Sequence, residues 1–217
     1  RQGDRAPLLA GAARAMTNTA KLFVAVAPLP NDPARGRARV LLQSEHARRA
    51  ARLSAQAALA PAMRFEKDAN DVPLPYQGWN WSVSHCERFV AGVVSEQRVG
   101  VDIENQRDAR AEVVERVLSV GELALLGELT PQMFLRAWTA KESVLKELGV
   151  GLGGLERCRI VALESADMLR VACDGVERRV RQLVEPNFVV SVSRADGAEP
   201  LWLTVQSPIS SAAEEHG

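Results

Sequence analysis

A helix with well-marked ends, predicted between Thr130 and Gly149, constrains the fold more than any other stretch. Thr130 can cap the helix, and Pro131 suits the first helical position, where a backbone N–H is not needed. Gly149 can end the helix in the left-handed conformation. At 3.6 residues per turn, one side of this helix places a carboxylate between two ammonium groups beside an aromatic ring, and its members are Trp138, Lys141, Glu142, Leu145 and Lys146.

That helix face does not identify a functional site by itself. Glu142 and Lys146 are an i,i+4 pair of the favoured orientation, which stabilises an exposed helix by about 0.2–0.5 kcal/mol and is common on solvated surfaces. The interpretation changes because a second stretch upstream also carries acids.

Residues 99–105 are predicted to form a half-buried strand, because apolar side chains occupy every second position. Asp102 and Glu104 then point to the same side, about 6.6 Å apart along the strand. Two carboxylates at that spacing can converge on one hard cation, which Mg²⁺ would hold at about 2.1 Å. The alternative is a pair of surface acids where a strand ends, so the pair alone leaves both interpretations open.

The composition indicates a soluble globular protein. The chain has 217 residues, of which 47% are hydrophobic, enough for one or two domains with a core. Its 27 basic and 27 acidic residues give a formal charge of zero, so the charge balance predicts neither nucleic acid nor a membrane as partner. The longest clear apolar run, 22–27, has the length of a strand and cannot span a bilayer.

The three cysteines, Cys86, Cys158 and Cys173, are odd in number and lack metal-ligand spacing. They are predicted to be packing residues in a reducing cytoplasmic setting, without a disulfide framework. The chain has three histidines, which argues against a histidine-rich zinc site. Carboxylates are therefore the expected ligands of any bound metal.

The order of the elements predicts an α+β fold of two similar halves related by a pseudo-twofold, each with helices packed on a small antiparallel sheet. Residues 188–193 repeat the F-V-x-x-V pattern of residues 89–95, and Asp174-Gly175 indicates a hairpin. A capping box from Ser119 to Glu122 opens a short helix toward Leu129. The other predicted elements are strands at 22–26, 168–173, 176–183 and 201–205 and helices at about 44–60 and 109–118.

The halves are expected to span residues 17–105 and 106–206. Residues 1–16 are expected to form a disordered arm, with Met16 as a natural start, and residues 207–217 a disordered tail. Residues 149–154 are too rich in glycine for regular structure. A helix end with a flexible turn explains them best, with close approach to a ligand as the alternative.

Acids and cations together suggest phosphoryl chemistry on a pyrophosphate. Asp102, Glu104 and Glu142 offer all-oxygen ligation, which favours Mg²⁺ or Mn²⁺. Lysines beside them can offset charge on a leaving group. The helix at 44–60 adds a basic face for which a solvated surface and anion binding are equally good interpretations, and its members are Arg48, Arg49 and Arg52.

Two motifs in this order resemble the paired signature of the 4'-phosphopantetheinyl transferase superfamily, in its two-halved, surfactin-synthetase-activating form. They are V-G-V-D-I-E at 99–104 and W-T-A-K-E-S-V-L-K at 138–146. Ser84-His85 resembles the family's Ser-His element, and residues 149–152 resemble its glycine turn. The resemblance covers roughly residues 72–152.

The resemblance implies a monomeric, cytoplasmic enzyme that moves the phosphopantetheine arm of coenzyme A to a serine of an apo acyl or peptidyl carrier protein and releases adenosine 3',5'-bisphosphate. Asp102, Glu104 and Glu142 match the metal-binding acids, and Glu142 is also the expected base for the attacking serine. Lys146 is expected at the leaving phosphate and Lys141 at the pyrophosphate. Further contacts to the cofactor are expected from Ser84, His85 and Gly151.

The chain also departs from the family pattern. The family often has Gly-Lys-Pro before the Ser-His element, whereas this chain has Asp71-Val72-Pro73, so a phosphate-binding lysine is missing at Val72. Its role is assigned to the arginines of the basic helix. Cys86 stands where a serine is usual. Glu122 matches a family acid, although its capping-box spacing explains it equally well.

Two other functions stay open at this point. A Mg²⁺-dependent nucleotide or pyrophosphate hydrolase could use the same acids. A protein that binds coenzyme A or a carrier domain without catalysis is compatible with the missing lysine. If a carrier docks, the apolar face of residues 109–118 is the expected surface.

Overall fold

The protein, described by a computed structural model over residues 21–209, has two β-sheets covered by helices. The predicted α+β class is confirmed. The arm predicted at 1–16 and all but the first three residues of the predicted tail lie outside the described residues. No helix within residues 21–209 combines the length and apolar character needed to cross a membrane.

The first sheet has the strand order β2-β3-β1-β9. Helix α1 (Gly36–Ala57) packs on it so closely that a Cβ on Gly92 of β3 would lie 2.2 Å from the backbone nitrogen of Ala51. Strand β9 pairs with β1 in parallel, and the other pairs are antiparallel. The four strands are β1 (Leu22–Pro28), β2 (Asn80–His85), β3 (Phe89–Ser95) and β9 (Pro200–Thr204).

The second sheet is antiparallel, with the order β4-β8-β7-β6-β5. Helix α4 (Pro131–Leu148) packs across it, and the short helices α2 (Ala111–Val117) and α3 (Val120–Leu126) precede α4 in the chain. A 3₁₀-helix (Leu152–Arg157) follows α4. The strands are β4 (Val99–Asn105), β5 (Cys158–Ser165), β6 (Met168–Cys173), β7 (Val176–Val184) and β8 (Phe188–Arg194).

Each predicted half contributes one strand to the sheet that mainly belongs to the other half. Strand β4, from residues 17–105, joins the second sheet, and β9, from residues 106–206, joins the first. This exchange is compatible with two related halves, whereas the pseudo-twofold itself stays a prediction. It also brings β2 and β4 together at the junction of the sheets, where the backbone N–H of Val101 donates to Ser82 Oγ at 3.1 Å.

The ends of the central helix agree with the predicted signals. Thr130 Oγ1 accepts a hydrogen bond from the N–H of Met133 at 3.1 Å, Pro131 occupies the first turn, and Gly149 is left-handed at φ 72°. The Ser119–Glu122 capping box is also present, although α3 ends at Leu126 rather than near residue 129. Capping residues and the terminal glycine therefore predict both ends of α4 and the start of α3 correctly.

Two elements differ from the sequence prediction for an identifiable reason. Helix α1 starts at Gly36 instead of near Ser44, and its first turns are largely exposed, so no apolar periodicity marks them. Strand β5 was not predicted, because its second half alternates half-buried and exposed positions rather than core and surface. The 3₁₀-helix covers residues 152–154, the second half of the glycine-rich stretch for which no regular structure is predicted, so that prediction is wrong there.

The prediction that all three cysteines are unpaired is wrong. Cys158 of β5 and Cys173 of β6 are directly opposed in the antiparallel register, with Cα atoms 4.3 Å apart, and form a buried disulfide. The pairing could not be anticipated without β5. Cys86 is a free, buried cysteine whose Sγ donates to Asn105 Oδ1 at 2.6 Å.

Candidate active site at the junction of the two sheets

Asp102 of β4 is buried at the junction of the sheets, and its two oxygens have different surroundings. Oδ1 accepts hydrogen bonds from Ser84 Oγ of β2 at 2.8 Å and from Lys146 Nζ of α4 at 2.7 Å. Oδ2 is buried and has no hydrogen-bond partner. Because an unpaired buried polar atom costs about 1–3 kcal/mol, this oxygen has the character of a ligand position.

Lys146 joins the helix to the strand. Its ammonium group also donates to the backbone carbonyl of Val101 at 3.1 Å, and the side chain is partly exposed. Strands β2 and β4 and helix α4 therefore meet at the Asp102 carboxylate. Of the two side chains that hold it, Lys146 is a cation at the edge of the cleft.

Glu142, one turn before Lys146, is the second acid of the cluster. Burial above all, and then the negative charges of Asp102 and Glu104, raise its pKa to about 7 against the opposing charge of Lys146. Its Oε1 is buried without a hydrogen-bond partner. The carboxyl therefore holds its proton more tightly than an exposed glutamate does.

Glu104, two positions after Asp102 on β4, completes the predicted group of acids. Burial and the charge of Asp102 raise its pKa, while Arg107 and a hydrogen bond from the Trp138 side chain lower it. The distance from Arg107 Nη2 to Glu104 Oε2 is long, at 3.4 Å. Strand β4 and helix α4 thus bring the three acids within reach of each other's charge.

The donor set fits a hard divalent cation. Among residues 21–209, no three carboxylate, histidine or cysteine side chains stand at metal-ligand spacing. Two buried carboxylate oxygens nevertheless lack partners, and the acids raise one another's pKa values. A divalent cation would relieve both penalties, so we retain the metal-binding role of these acids as a proposal.

A cavity of about 320 Å³ opens beside Asp102 and gathers cationic and polar groups. Burial lowers the pKa of His85, and the charges of Lys146 and Lys67 lower it further, so the imidazole is neutral at pH 7. The groups in this cavity that can contact an anion are Arg48, Lys67, Ser84, His85 and Lys146. An adjoining cavity of about 230 Å³ contains Glu142 and Gly151.

Lys141 does not belong to this cleft. It is fully buried, and its ammonium group contacts Glu122 Oε1 and the carbonyl of Val117, both at 2.6 Å. Burial alone would raise the pKa of Glu122, but bonds from Lys141, Ser119 and Ile160 hold it below its ordinary value. Glu122 therefore has a structural role in the C-terminal half, and Lys146 is the lysine that acts on Glu142.

Of the three predicted arginines, Arg48 alone lines the 320 Å³ cavity. Arg49 pairs with Glu45 and donates to the carbonyl of Ile209 at 3.1 Å. The guanidinium of Arg52 lies over the ring of Phe65, 5.6 Å from its centre. Sequence reasoning missed Lys67, because it lies in an irregular stretch without periodicity.

This α+β fold holds a carboxylate cluster beside a cationic cleft. These two features together define a candidate site for metal-dependent phosphoryl transfer. Residues 98–190 match the family model described as the 4'-phosphopantetheinyl transferase superfamily. The resemblance to this superfamily is therefore confirmed. The matched part contains the three acids and Lys146, whereas Arg48, Lys67, Ser84 and His85 lie before it.

Three curated proteins are similar to part of the chain. The 4'-phosphopantetheinyl transferase psf-1 of Bacillus pumilus is 30% identical over 94 residues, 41% of this chain and 40% of that protein. The 4'-phosphopantetheinyl transferase of Bacillus subtilis is 29% identical over 77 residues, 34% of each chain. Enterobactin synthase component D of Salmonella typhi is 33% identical over 100 residues, 43% of each. The matched region thus spans less than half of each relative.

Proposed function

We propose that this protein transfers the 4'-phosphopantetheine group of coenzyme A to a serine hydroxyl of an acyl or peptidyl carrier protein, releasing adenosine 3',5'-bisphosphate. The observation that carries the proposal is Asp102. Ser84 and Lys146 fix one of its oxygens while the other is buried without a partner, within the segment that matches the superfamily. Such a carboxylate suits a metal-assisted phosphoryl transfer.

Asp102, Glu104 and Glu142 would hold the divalent cation, Mg²⁺ or Mn²⁺, which offsets the charge of the pyrophosphate when bound. The ammonium group of Lys146, which contacts Asp102, would balance charge on the leaving phosphate. The neutral imidazole of His85 can donate one hydrogen bond to a phosphate oxygen, and Arg48 adds a fixed charge beside it.

The bond changes are those of a displacement at phosphorus. The serine oxygen forms a bond to the phosphorus that carries pantetheine, and the bond between that phosphorus and the bridging oxygen breaks. The bridging oxygen leaves with the nucleotide. Glu142 is the proposed acceptor of the hydroxyl proton, because its Oε1 is buried without a hydrogen-bond partner and the carboxyl lies within reach of the charges of Asp102 and Lys146.

The proposed docking surface for the carrier is the exposed apolar side of α2 and α3. Val113 is 42% exposed, Val120 84% and Leu125 42%, on two successive helices. This extends the surface expected at 109–118 onto the next helix. Exposed apolar side chains on two successive helices suit a protein partner better than solvent. Action as a monomer in the cytoplasm stays a prediction.

The direct test incubates the protein with coenzyme A, Mg²⁺ and a panel of apo carrier proteins from fatty acid, polyketide and nonribosomal peptide synthesis. The expected product is a carrier heavier by one phosphopantetheine, detected by mass spectrometry. Release of the bisphosphate without a carrier would favour a hydrolase instead. Binding of coenzyme A without turnover with any carrier would favour a non-catalytic binding protein.

A further inference from the structure

The turn at residues 67–73 places Lys67 in the cleft, a position that the sequence did not predict. Lys67 and Pro73 form an isolated antiparallel bridge, and the N–H of Asp68 donates to the carbonyl of Val72 at 2.9 Å. Asp68 Oδ1 accepts from the N–H groups of Asn70 at 2.8 Å and Val72 at 2.9 Å. The two arms of the turn are therefore fixed against each other, with Lys67 facing the Val72-Pro73 arm.

Lys67 is the lysine that this turn directs into the cleft. It lines both the cavity with Arg48, His85 and Asp102 and the adjoining one with Glu142. Its charge acts on His85, whose pKa it helps to lower. Val72, in the facing arm, lies against the end of α4, where its Cγ1 is 3.5 Å from the position of a Cβ on Gly149.

The present partner of Lys67 is a weak competitor for a phosphate. Lys67 Nζ contacts Asp71 Oδ2 at 2.8 Å, but the Asp71 side chain is 83% exposed. An ion pair this open to water contributes little to stability and is exchanged readily. A dianionic phosphate in the cleft would meet the same ammonium group with stronger charge and more acceptor atoms.

We infer that Lys67 binds a phosphate group of coenzyme A beside His85 and supplies, from across the turn, the cation that is missing at Val72. This inference rests on the proposed function. Asp71 then acts as the counter-ion of Lys67 in the absence of substrate. Of the arginines of α1, only Arg48 at the cavity wall is needed to bind the phosphate.

The test measures coenzyme A affinity by calorimetry, without a carrier, for the whole chain. Lys67→Ala is expected to weaken binding roughly tenfold to a hundredfold, as for loss of a charge-assisted hydrogen bond, and to raise KM with little change in kcat. Lys21→Ala, which removes an exposed lysine outside the cleft, is the matched control and should bind like the wild type.

Two further variants separate phosphate binding from support of the turn. Asp71→Asn breaks the same ion pair, and we expect unchanged or tighter binding because Lys67 is released. Val72→Lys, added to Lys67→Ala, is expected to restore most of the affinity, since both positions line the adjoining cavity that contains Glu142.

Wild-type affinity in Lys67→Ala would overturn the inference. Equal losses in Lys67→Ala and Asp71→Asn would also overturn it, because the ion pair would then matter only for the turn. Failure of Val72→Lys to restore binding in a double variant with wild-type thermal stability would contradict the shared phosphate. A wild-type protein that neither binds coenzyme A nor modifies any carrier overturns the proposed function itself, and this inference with it.

Discussion

One oxygen of Asp102 is hydrogen-bonded to protein side chains, and the other is buried without a partner. Ser84 and Lys146 restrict the carboxylate to one orientation. The free oxygen then needs no rearrangement before it binds a ligand, which is the kind of preorganisation that phosphoryl transfer needs. Sequence alone could pair Asp102 with Glu104 but could not distinguish its two oxygens.

The raised pKa of Glu142 predicts a pH-dependent cost in stability. The folded protein holds the proton up to about pH 7, whereas an unfolded chain loses it near the ordinary value of 4.5. The folded state therefore binds more protons in this window, and the free energy of unfolding should fall as the pH rises through it. Glu142→Gln removes this cost.

Chemical denaturation in EDTA from pH 5 to pH 8 measures the effect. The advantage of Glu142→Gln over the wild type should grow across that range by on the order of 1–3 kcal/mol, a value discounted for partial exposure. Glu128→Gln, at a solvent-exposed glutamate in the loop before α4, is the control and should follow the wild type. Parallel curves for Glu142→Gln and the wild type would show that Glu142 is not buried among acids.

At the scale of elements, the site depends on how closely α4 lies on β4. A Cβ on Gly100 would be 1.9 Å from the carbonyl oxygen of Ser143 and 2.5 Å from the nitrogen of Glu147. Both atoms are backbone, so the helix has no side chain that could move aside. The contact fixes the distance between the acids of the strand and those of the helix.

Gly100→Ala should therefore displace α4 from β4 and carry Glu142 and Lys146 away from Asp102. We expect a loss of about 1–3 kcal/mol or more in the free energy of unfolding, as for other overpacked interiors, and a larger fractional loss of transfer activity. Gly121→Ala in α3, where a Cβ meets nothing within 4 Å, is the matched control for stability and should unfold like the wild type. A fully active and stable Gly100→Ala protein would contradict this account of the packing.

In the whole protein, the site lies where β4 of the second sheet meets β2 of the first. Local signals predicted α4, the capping box and the β6–β7 hairpin, since each is encoded within a few residues. The strand exchange, the Cys158–Cys173 pairing and the position of Lys67 depend on contacts between distant segments. No single-sequence periodicity contains that information.

The same limit explains the error over Lys141. Helical spacing placed it on the side of α4 that carries Glu142, but tertiary packing turned its ammonium group into the interior toward Glu122. Two side chains on the same face of a helix can end in different environments. A long, flexible lysine side chain can bend toward a nearby acid and away from its helical neighbours. Glu142 and Lys146, by contrast, lie on the side of α4 that faces Asp102.

The most direct test of the proposed transfer incubates an apo carrier protein with coenzyme A and Mg²⁺ and measures the mass of the carrier afterwards. The wild type is compared with Asp102→Asn and Glu142→Gln. The wild type should yield carrier heavier by one phosphopantetheine. Each variant, confirmed as folded by circular dichroism, should lose on the order of a hundredfold or more in rate, because both acids act on the transition state. Wild-type rates in either folded variant would contradict the assignment of the site.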